Sequence, residues 1–268
     1  MIRVRPPAVA GAFYPRAASE LNRQLRQLLN EVEPKESVAV KALIAPHAGY
    51  IYSGAIAASA YATIAELRGR IKRVVLVGPA HRMPLKGLAL PAVDALATPL
   101  GVVPVDPAAT LALAGMPQVS ENLAAHELEH SLEVHLPFLQ MLLEDFKIVP
   151  LLVGDAQGKE VAQVLDALWG GPETLLVISS DLSHYLPYES ARATDRMTAQ
   201  SILELSPGIS LEQACGGTPI NGLLLASRLH GLKPKLLDLR NSGDTAGDQR
   251  RVVGYAAFAF CQQASHVH

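Results

Sequence analysis

The segment Val38-Ala39-Val40-Lys41-Ala42-Leu43-Ile44-Ala45-Pro46-His47-Ala48-Gly49-Tyr50 decides the fold. Residues 38–45 are an apolar, β-prone run interrupted only by Lys41, without the alternation of a strand that has one wet face. Such a run reads as a strand covered on both sides, and it ends in Pro-His-Ala-Gly turn chemistry. Similar runs occupy residues 73–77, 87–90, 146–153, 174–179, 236–239 and 252–260. Between them, residues 18–32 carry leucines at 21, 25, 28 and 29 on one stripe. Residues 53–67, 159–169, 189–205 and 218–229 also read as helices, the last with Pro219 at its first position. Strands alternating with helices predict an α/β fold, a three-layer α/β/α sandwich around a mostly parallel central sheet. The polar connection at residues 31–37 is too short to divide the chain, so residues 1–268 read as a single domain.

Composition narrows the function classes. Of 268 residues, 49% are hydrophobic and 18% charged, which is globular rather than disordered composition. A formal net charge of -2 and no basic run argue against a nucleic-acid partner and toward a small molecule or peptide. Two cysteines, Cys215 and Cys261, with no CxxC pair argue against a disulfide framework and a structural zinc site. Residues 1–7 have no apolar core of a signal peptide, and no run of 18 apolar residues predicts a membrane span. The expectation is a cytoplasmic protein without a membrane partner.

In open α/β sheets, ligands bind beyond the carboxyl ends of strands, and several strand ends here are chemically loaded. Besides His47, there is Gly78-Pro79-Ala80-His81, then Ser180-Asp181-Leu182-Ser183-His184, then Asn241-Ser242-Gly243-Asp244. His47 and His81 form a metal candidate, because imidazole suits Fe, Cu, Zn and Ni. Asp181 and His184 read either as a base with its orienting partner or as a cap on a following helix. The loop from Asn241 to Asp248 reads as a Gly/Asp turn or as a pocket wall in which Asp244 is an acidic ligand. Cys215 reads as a pocket thiol or as a packed core residue.

The densest stretch is Ala125-His126-Glu127-Leu128-Glu129-His130-Ser131-Leu132-Glu133-Val134-His135-Leu136-Pro137. At helical spacing, His126, His130 and Glu133 share one face, while Leu128, Leu132, Leu136, Leu139 and Leu143 form a separate stripe. The letters His-Glu-x-x-His occur at 126–130, so metal-dependent hydrolysis is a minor alternative.

Taken together, these segments resemble the Memo family, whose prokaryotic members are also called AmmeMemoRadiSam system protein B. Ala10-Gly11-Ala12-Phe13-Tyr14-Pro15, Pro46-His47-Ala48-Gly49-Tyr50, Gly78-Pro79-Ala80-His81 and the stretch from Glu129 to Pro137 carry the resemblance. So do Ser179-Ser180-Asp181-Leu182-Ser183-His184, Cys215-Gly216 and Val253-Gly254-Tyr255-Ala256-Ala257, in order along nearly the whole chain. The resemblance implies a fold similar to class III extradiol dioxygenases, with His47 and His81 matching two metal ligands. It implies Asp181, His184 and His130 as catalytic pocket residues, and places Tyr14, Tyr50 and Glu133 in recurring segments beside the pocket. Eukaryotic members place a cysteine as third ligand in the loop before the last strand; here that loop offers Asp244, or Thr245 if it aligns without a gap. Asp244 would complete a two-histidine, one-carboxylate set suited to Fe(II), with Cu as the other candidate cofactor. The implied activity is dioxygenase-like redox chemistry beside radical SAM and AMMECR1-type proteins. The alternative is a peptide- or metal-binding protein without turnover.

Overall fold

The computed structural model describes residues 2–33 and 39–262; most of the connection expected at 31–37, and residue 38 of the first run, lie outside them. The first half contains β1 (Val4–Arg5), α1 (Ala18–Asn30), β2 (Val40–Ala45), α2 (Tyr50–Tyr61), β3 (Arg73–Pro79) and β4 (Leu88–Leu90). It continues through β5 (Ala95–Thr98), β6 (Gly101–Pro104), α3 (Pro107–Leu113), β7 (Val119–Glu121) and α4 (Leu123–Glu127). The second half contains α5 (Leu136–Leu142), β8 (Lys147–Val153), α6 (Gly158–Ala167), β9 (Thr174–Ser179) and β10 (His184–Leu186). It ends with α7 (Tyr188–Leu203), α8 (Gly217–His230), β11 (Leu232–Asn241) and β12 (Val252–Gln262).

Each run read as a strand is one. The large sheet has the order β10-β12-β2-β9-β3-β8-β4-β7, with β11 pairing β12. Its centre, β2-β9-β3-β8, is parallel, whereas β12 runs antiparallel to β2, and β4 antiparallel to β8. The sandwich is therefore parallel where the site lies and antiparallel at its flanks. A three-stranded sheet, β1-β5-β6, stands apart from it.

The absence of alternation in the sequence follows from two cores, one on each face. On β2, Leu43 and Ala45 join one core while Ala42 and Ile44 join the other; on β9, Leu175 and Val177 part from Leu176 and Ile178. Helices α1, α2 and α5 cover the first face, through Leu25, Ile56, Tyr61 and Phe138. Helices α3, α6, α7 and α8 cover the second, through Leu113, Val164, Ile202 and Leu223. Each fully buried aliphatic side chain of this kind contributes about 1.5–3 kcal/mol. Lys41, the charged exception in β2, is buried with its Nζ donating to the carbonyl oxygens of Trp169, Gly171 and Thr174. Burial lowers its pKa to about 8, against the attraction of Glu173.

Two local expectations change. Helix α8 begins at Gly217, so Pro219 occupies its third position, still within the first turn where a missing N–H costs no helix bond. The continuous helix expected through 126–133 does not form: α4 stops at Glu127 and a 3-10 turn starts at Glu133. Leu128 accordingly leaves the leucine stripe and is 65% exposed, while Leu132, Leu136, Leu139 and Leu143 are buried.

Candidate metal centre

Register brings the site together. Ala45 of β2 lies opposite Ser179 of β9, and Ile178 of β9 lies opposite Val77 of β3, so three neighbouring parallel strands end at one level. Immediately beyond those ends come His47, Asp181 and His81. A fourth segment, 128–132, folds over them, with Ser131 Oγ donating to the Pro79 carbonyl and Ser179 Oγ to the Ser131 carbonyl. This segment delivers His130.

The rings of His47, His81 and His130 form a tight group, with centroids 5.2 Å, 5.5 Å and 4.9 Å apart pairwise. One donor atom from each lies within 4.8 Å of the others, a set able to hold a metal ion. His47 is 2% exposed. Burial, then the neighbouring His81 and His130, hold its pKa well below the ordinary 6.5, so its ring is neutral. Its tautomer follows from hydrogen counting. Ser179 Oγ lies 2.6 Å from His47 Nδ1, but that hydroxyl's single proton goes to the Ser131 carbonyl. Nδ1 therefore donates, and Nε2 carries a bare lone pair.

Glu129 organises the other two rings. Its carboxylate accepts from the backbone N–H groups of His81 (2.6 Å), His130 (2.8 Å) and Ser131 (2.9 Å), and lies 3.1 Å from His81 Nδ1. His130 Nδ1 is also 3.1 Å from Glu129 Oε1, yet too far off line for a hydrogen bond, and is a buried nitrogen without a partner. Burial pushes the Glu129 carboxyl upward, but the close approach of the His130 and His81 rings and the backbone N–H groups outweigh it and hold the group far below the usual carboxylate range. The same bonds explain the broken helix: Glu129 captures the N–H groups of residues 130 and 131.

Asp181 braces rather than caps. Its Oδ1 accepts from His47 N at 2.8 Å, its Oδ2 lies 4.0 Å from His47 Nε2, and no helix follows it. Burial raises its pKa, opposed by the His47 N–H and by the field of His184, His130 and His81. His184 donates Nδ1–H to the Leu182 carbonyl at 2.8 Å, which leaves its own Nε2 bare in the neutral ring. The next residue, Tyr185, has φ +60, a left-handed backbone that is strained for a bulky side chain. Cys215 Sγ sits 3.3 Å from His47 Nε2; burial, then Asp181, push its thiol up to about 12. Cys215 and His81 both line a cleft of about 530 Å³ whose other walls include Met83, Leu85, Leu211 and Pro219. A cavity of about 580 Å³ beside α3 holds neither imidazole nor thiol, so size does not mark the chemistry.

The remaining expected residues lie elsewhere. Asp244 is not a member of the histidine group: its carboxylate accepts from Asn241 N and Tyr188 Oη, closing a 3-10 turn, and it lines a separate cleft with Arg192, Asp195 and Arg240. Thr245 is exposed and its Oγ1 donates to the Ser242 carbonyl. Tyr14 and Arg5 both donate to the buried carboxylate of Glu133, which also takes the N–H groups of Ala8 and Val9. Tyr50 donates to the Val134 carbonyl and packs on Phe138. These three residues tie the N-terminal segment down behind the site instead of lining it. His126 Nε2 donates to the Ala89 carbonyl, which removes it from a zinc-peptidase arrangement with His130. Its pKa falls to about 4 through burial, against the pull of that bond.

Glu129 and Ser179 were not singled out by the sequence, although both sit inside recurring segments. Phe13 also went unremarked, yet its ring packs 4.7 Å from that of His130 and forms one wall of the group.

Comparison with known proteins places the chain in a family. The family model described as Memo-like protein matches residues 5–259. A MEMO1 family protein of Aquifex aeolicus is 40% identical, covering 97% of this chain and 100% of its own length. One from Methanosarcina acetivorans is 39% identical, over 96% and 98% respectively. Among solved structures, an uncharacterised Escherichia coli K12 protein is similar with a TM-score of 0.55 and 16% identity, covering 82% of this chain and 99% of its own. That last likeness is one of fold, whereas the sequence matches go further: the chain belongs to the Memo family.

Proposed function

We propose that this chain is a metal-dependent redox protein whose ion is held by His47, His81 and His130. The supporting observation is the convergence of three imidazole donor atoms within 4.8 Å of one another at the ends of the parallel strands. The residues fit such an ion on two counts. His47 presents a bare Nε2 because Ser179 fixes its other nitrogen as a donor, and His130 keeps a buried nitrogen with no hydrogen-bond partner. Imidazole donors suit Fe(II) and Cu, the two cofactors proposed, and exclude a hard-ion site for Mg or Ca.

When bound, such an ion would supply Lewis-acid and one-electron chemistry. The protein's own residues divide the remaining work. Ser179 holds the His47 ring, and Glu129 the His81 ring, in one tautomer, as the outer partners of metal-ligating histidines do. Asp181 fixes the His47 backbone, and His184, whose Nε2 is bare in the neutral ring, would take a proton from a small molecule. The cleft beside His81 and Cys215 admits that molecule along a largely apolar wall. The test is anaerobic purification with metal analysis. About one iron or copper per chain and a rise in thermal midpoint on metal addition are expected. A metal-free protein whose midpoint ignores added iron, copper and zinc sinks the reading. Bound metal without oxygen consumption in the presence of reductant would retain the centre and remove the redox activity.

A further inference from the structure

Of the parallel strands at the centre of the sheet, β2, β9 and β3 lead to His47, Asp181 and His81, and β8 leads to Asp155. Register sets Pro79 of β3 opposite Val153 of β8, and Ala80 N donates to the Val153 carbonyl at 2.9 Å. His81 and Asp155 therefore lie at one level, each two residues past the end of its strand. Both line the cleft of about 530 Å³, a volume suited to a small organic ligand.

The backbone of Asp155 is held, and its side chain is not. Asp155 N donates to the Leu85 carbonyl at 2.7 Å, and Gly87 N donates to the Asp155 carbonyl at 2.9 Å. Gly154 lets residues 85–87 pack this closely, since a Cβ there would come within 2.0 Å of the Leu85 carbonyl oxygen. Among the described residues the Asp155 carboxylate makes no hydrogen bond and no ion pair, even with Lys86 facing it across a backbone bridge. Asp181 differs, its carboxylate being spent on the His47 backbone. The hydroxyl of Thr218, in the first turn of α8, is likewise unbonded and lines the same cleft.

The remaining walls decide what this carboxylate can hold. Met83, Leu85, Val153, Leu211 and Pro219 are apolar, and neither lysine nor arginine lines the cleft. An anionic group seated there would meet a carboxylate with no side-chain cation to offset it, and a purely apolar one would cover the carboxylate unpaired. A protonated amine on an apolar body meets both demands. Its N–H donors make charge-assisted hydrogen bonds to the carboxylate, while its carbon skeleton covers the wall.

We propose that Asp155 is the seat for the ammonium group of a small apolar amine, whose opposite end is directed at the ion held by His47, His81 and His130. This names the ligand class of the centre and rests on the metal-centre reading above. Binding is non-covalent, and neither a proton nor an electron moves.

Phenethylamine, phenethyl alcohol and hydrocinnamate share an apolar body and differ in charge. Titrated into the zinc-loaded, full-length protein by ligand-observed NMR, the amine should bind about tenfold more tightly than the alcohol, and the carboxylate most weakly. Asp155→Asn should bring the amine to the level of the alcohol. The Asp155 side chain is exposed and makes no bond within the fold, so this variant keeps the native structure. Equal affinity for amine and alcohol, tighter binding of the carboxylate, binding of none of the three, or an amine preference that survives in Asp155→Asn overturns the seat. Cobalt(II) in place of zinc reads the reach to the ion, and should speed the relaxation of the bound amine's ring protons. Unchanged relaxation in a protein shown by elemental analysis to hold cobalt overturns the direction toward the ion. A protein that takes up neither metal, yet keeps the Asp155-dependent preference, removes the histidine centre and leaves the amine seat standing.

Discussion

Two strand-end loops of this protein look alike on paper and behave in opposite ways. The group at His47, His81 and His130 and the loop at Asn241–Asp244 both place ligand-competent residues after strands. In the first, the outward bonds are made by helpers: Ser179, Glu129 and Asp181 take the ring and backbone N–H groups, and the imidazole lone pairs are left over. In the second, the ligand-competent group satisfies its own turn, since Asp244 spends its two oxygens on Asn241 and Tyr188. A side chain becomes a ligand when its neighbours relieve it of local duties. Residue type and strand-end position alone do not confer that.

The sharpest way to break this contrast is metal uptake. His47→Ala, His81→Ala and His130→Ala should each drop bound metal to background by elemental analysis after loading, whereas Asp244→Ala should stay at the wild-type value. Loss in Asp244→Ala with retention in His130→Ala would reverse the roles of the two loops. Next in size is Glu129→Gln, which places an amide among donors that need a carboxylate. Metal affinity should weaken about 10- to 100-fold, and the metal-free protein should lose about 3 kcal/mol by denaturant titration. An unchanged affinity would show that Glu129 does not organise the rings.

Acid separates the two regions by sign. His47 is held well below 6.5 by burial, and burial also takes His126 to about 4 and His135 to about 3. These rings gain protons readily only on unfolding, so the stability they contribute is full above pH 6.5 and lost as pH falls, by about 1.4 kcal/mol per unit for each. Asp195, in the other cleft, has its carboxyl raised to about 6 by burial, against the Ser183 N–H. It binds a proton more readily when folded, so its contribution grows as pH falls from about 6 toward 3.8. The urea midpoint of the metal-free protein should therefore fall between pH 7 and 5, and fall more steeply in Asp195→Asn. A midpoint that rises on acidification would contradict the neutral buried histidines. The smallest effect expected is Tyr188→Phe, within about 0.5 kcal/mol in thermal unfolding, because its bond to Asp244 lies at the exposed surface.

Much of the frame was legible in sequence. Unbroken apolar runs identified the strands covered on both faces, and turn residues after them marked His47 and His81. Periodicity misled at 126–133, where helical spacing put His126, His130 and Glu133 on one face. Glu129 breaks that helix through bonds to His81, 48 residues away, and no local pattern contains such a bond. His126 and His130 then part company, one to Ala89 and the other to the metal group. The short strands β1, β5, β6, β7 and β10 are two to four residues long and carry too little pattern to announce themselves. A carboxylate three residues after Asn241 reads the same in sequence whether it turns inward or, as Asp244 does, closes its own turn.

The sheet order has a consequence for time as well as for space. Strands β2 and β3 are not neighbours; β9 lies between them and is made about a hundred residues later. During synthesis His47 and His81 emerge early, but nothing fixes their separation until Thr174–Ser179 slots into the gap and Asp181 reaches back 134 residues to His47. A nascent chain arrested before β9 would carry all three imidazoles with no strand to space them, open to unselective capture of any soft ion. Placing the keystone strand after both histidine-bearing strands delays ion choice until the chain can exercise it, and makes slow, non-local assembly the gatekeeper of metallation.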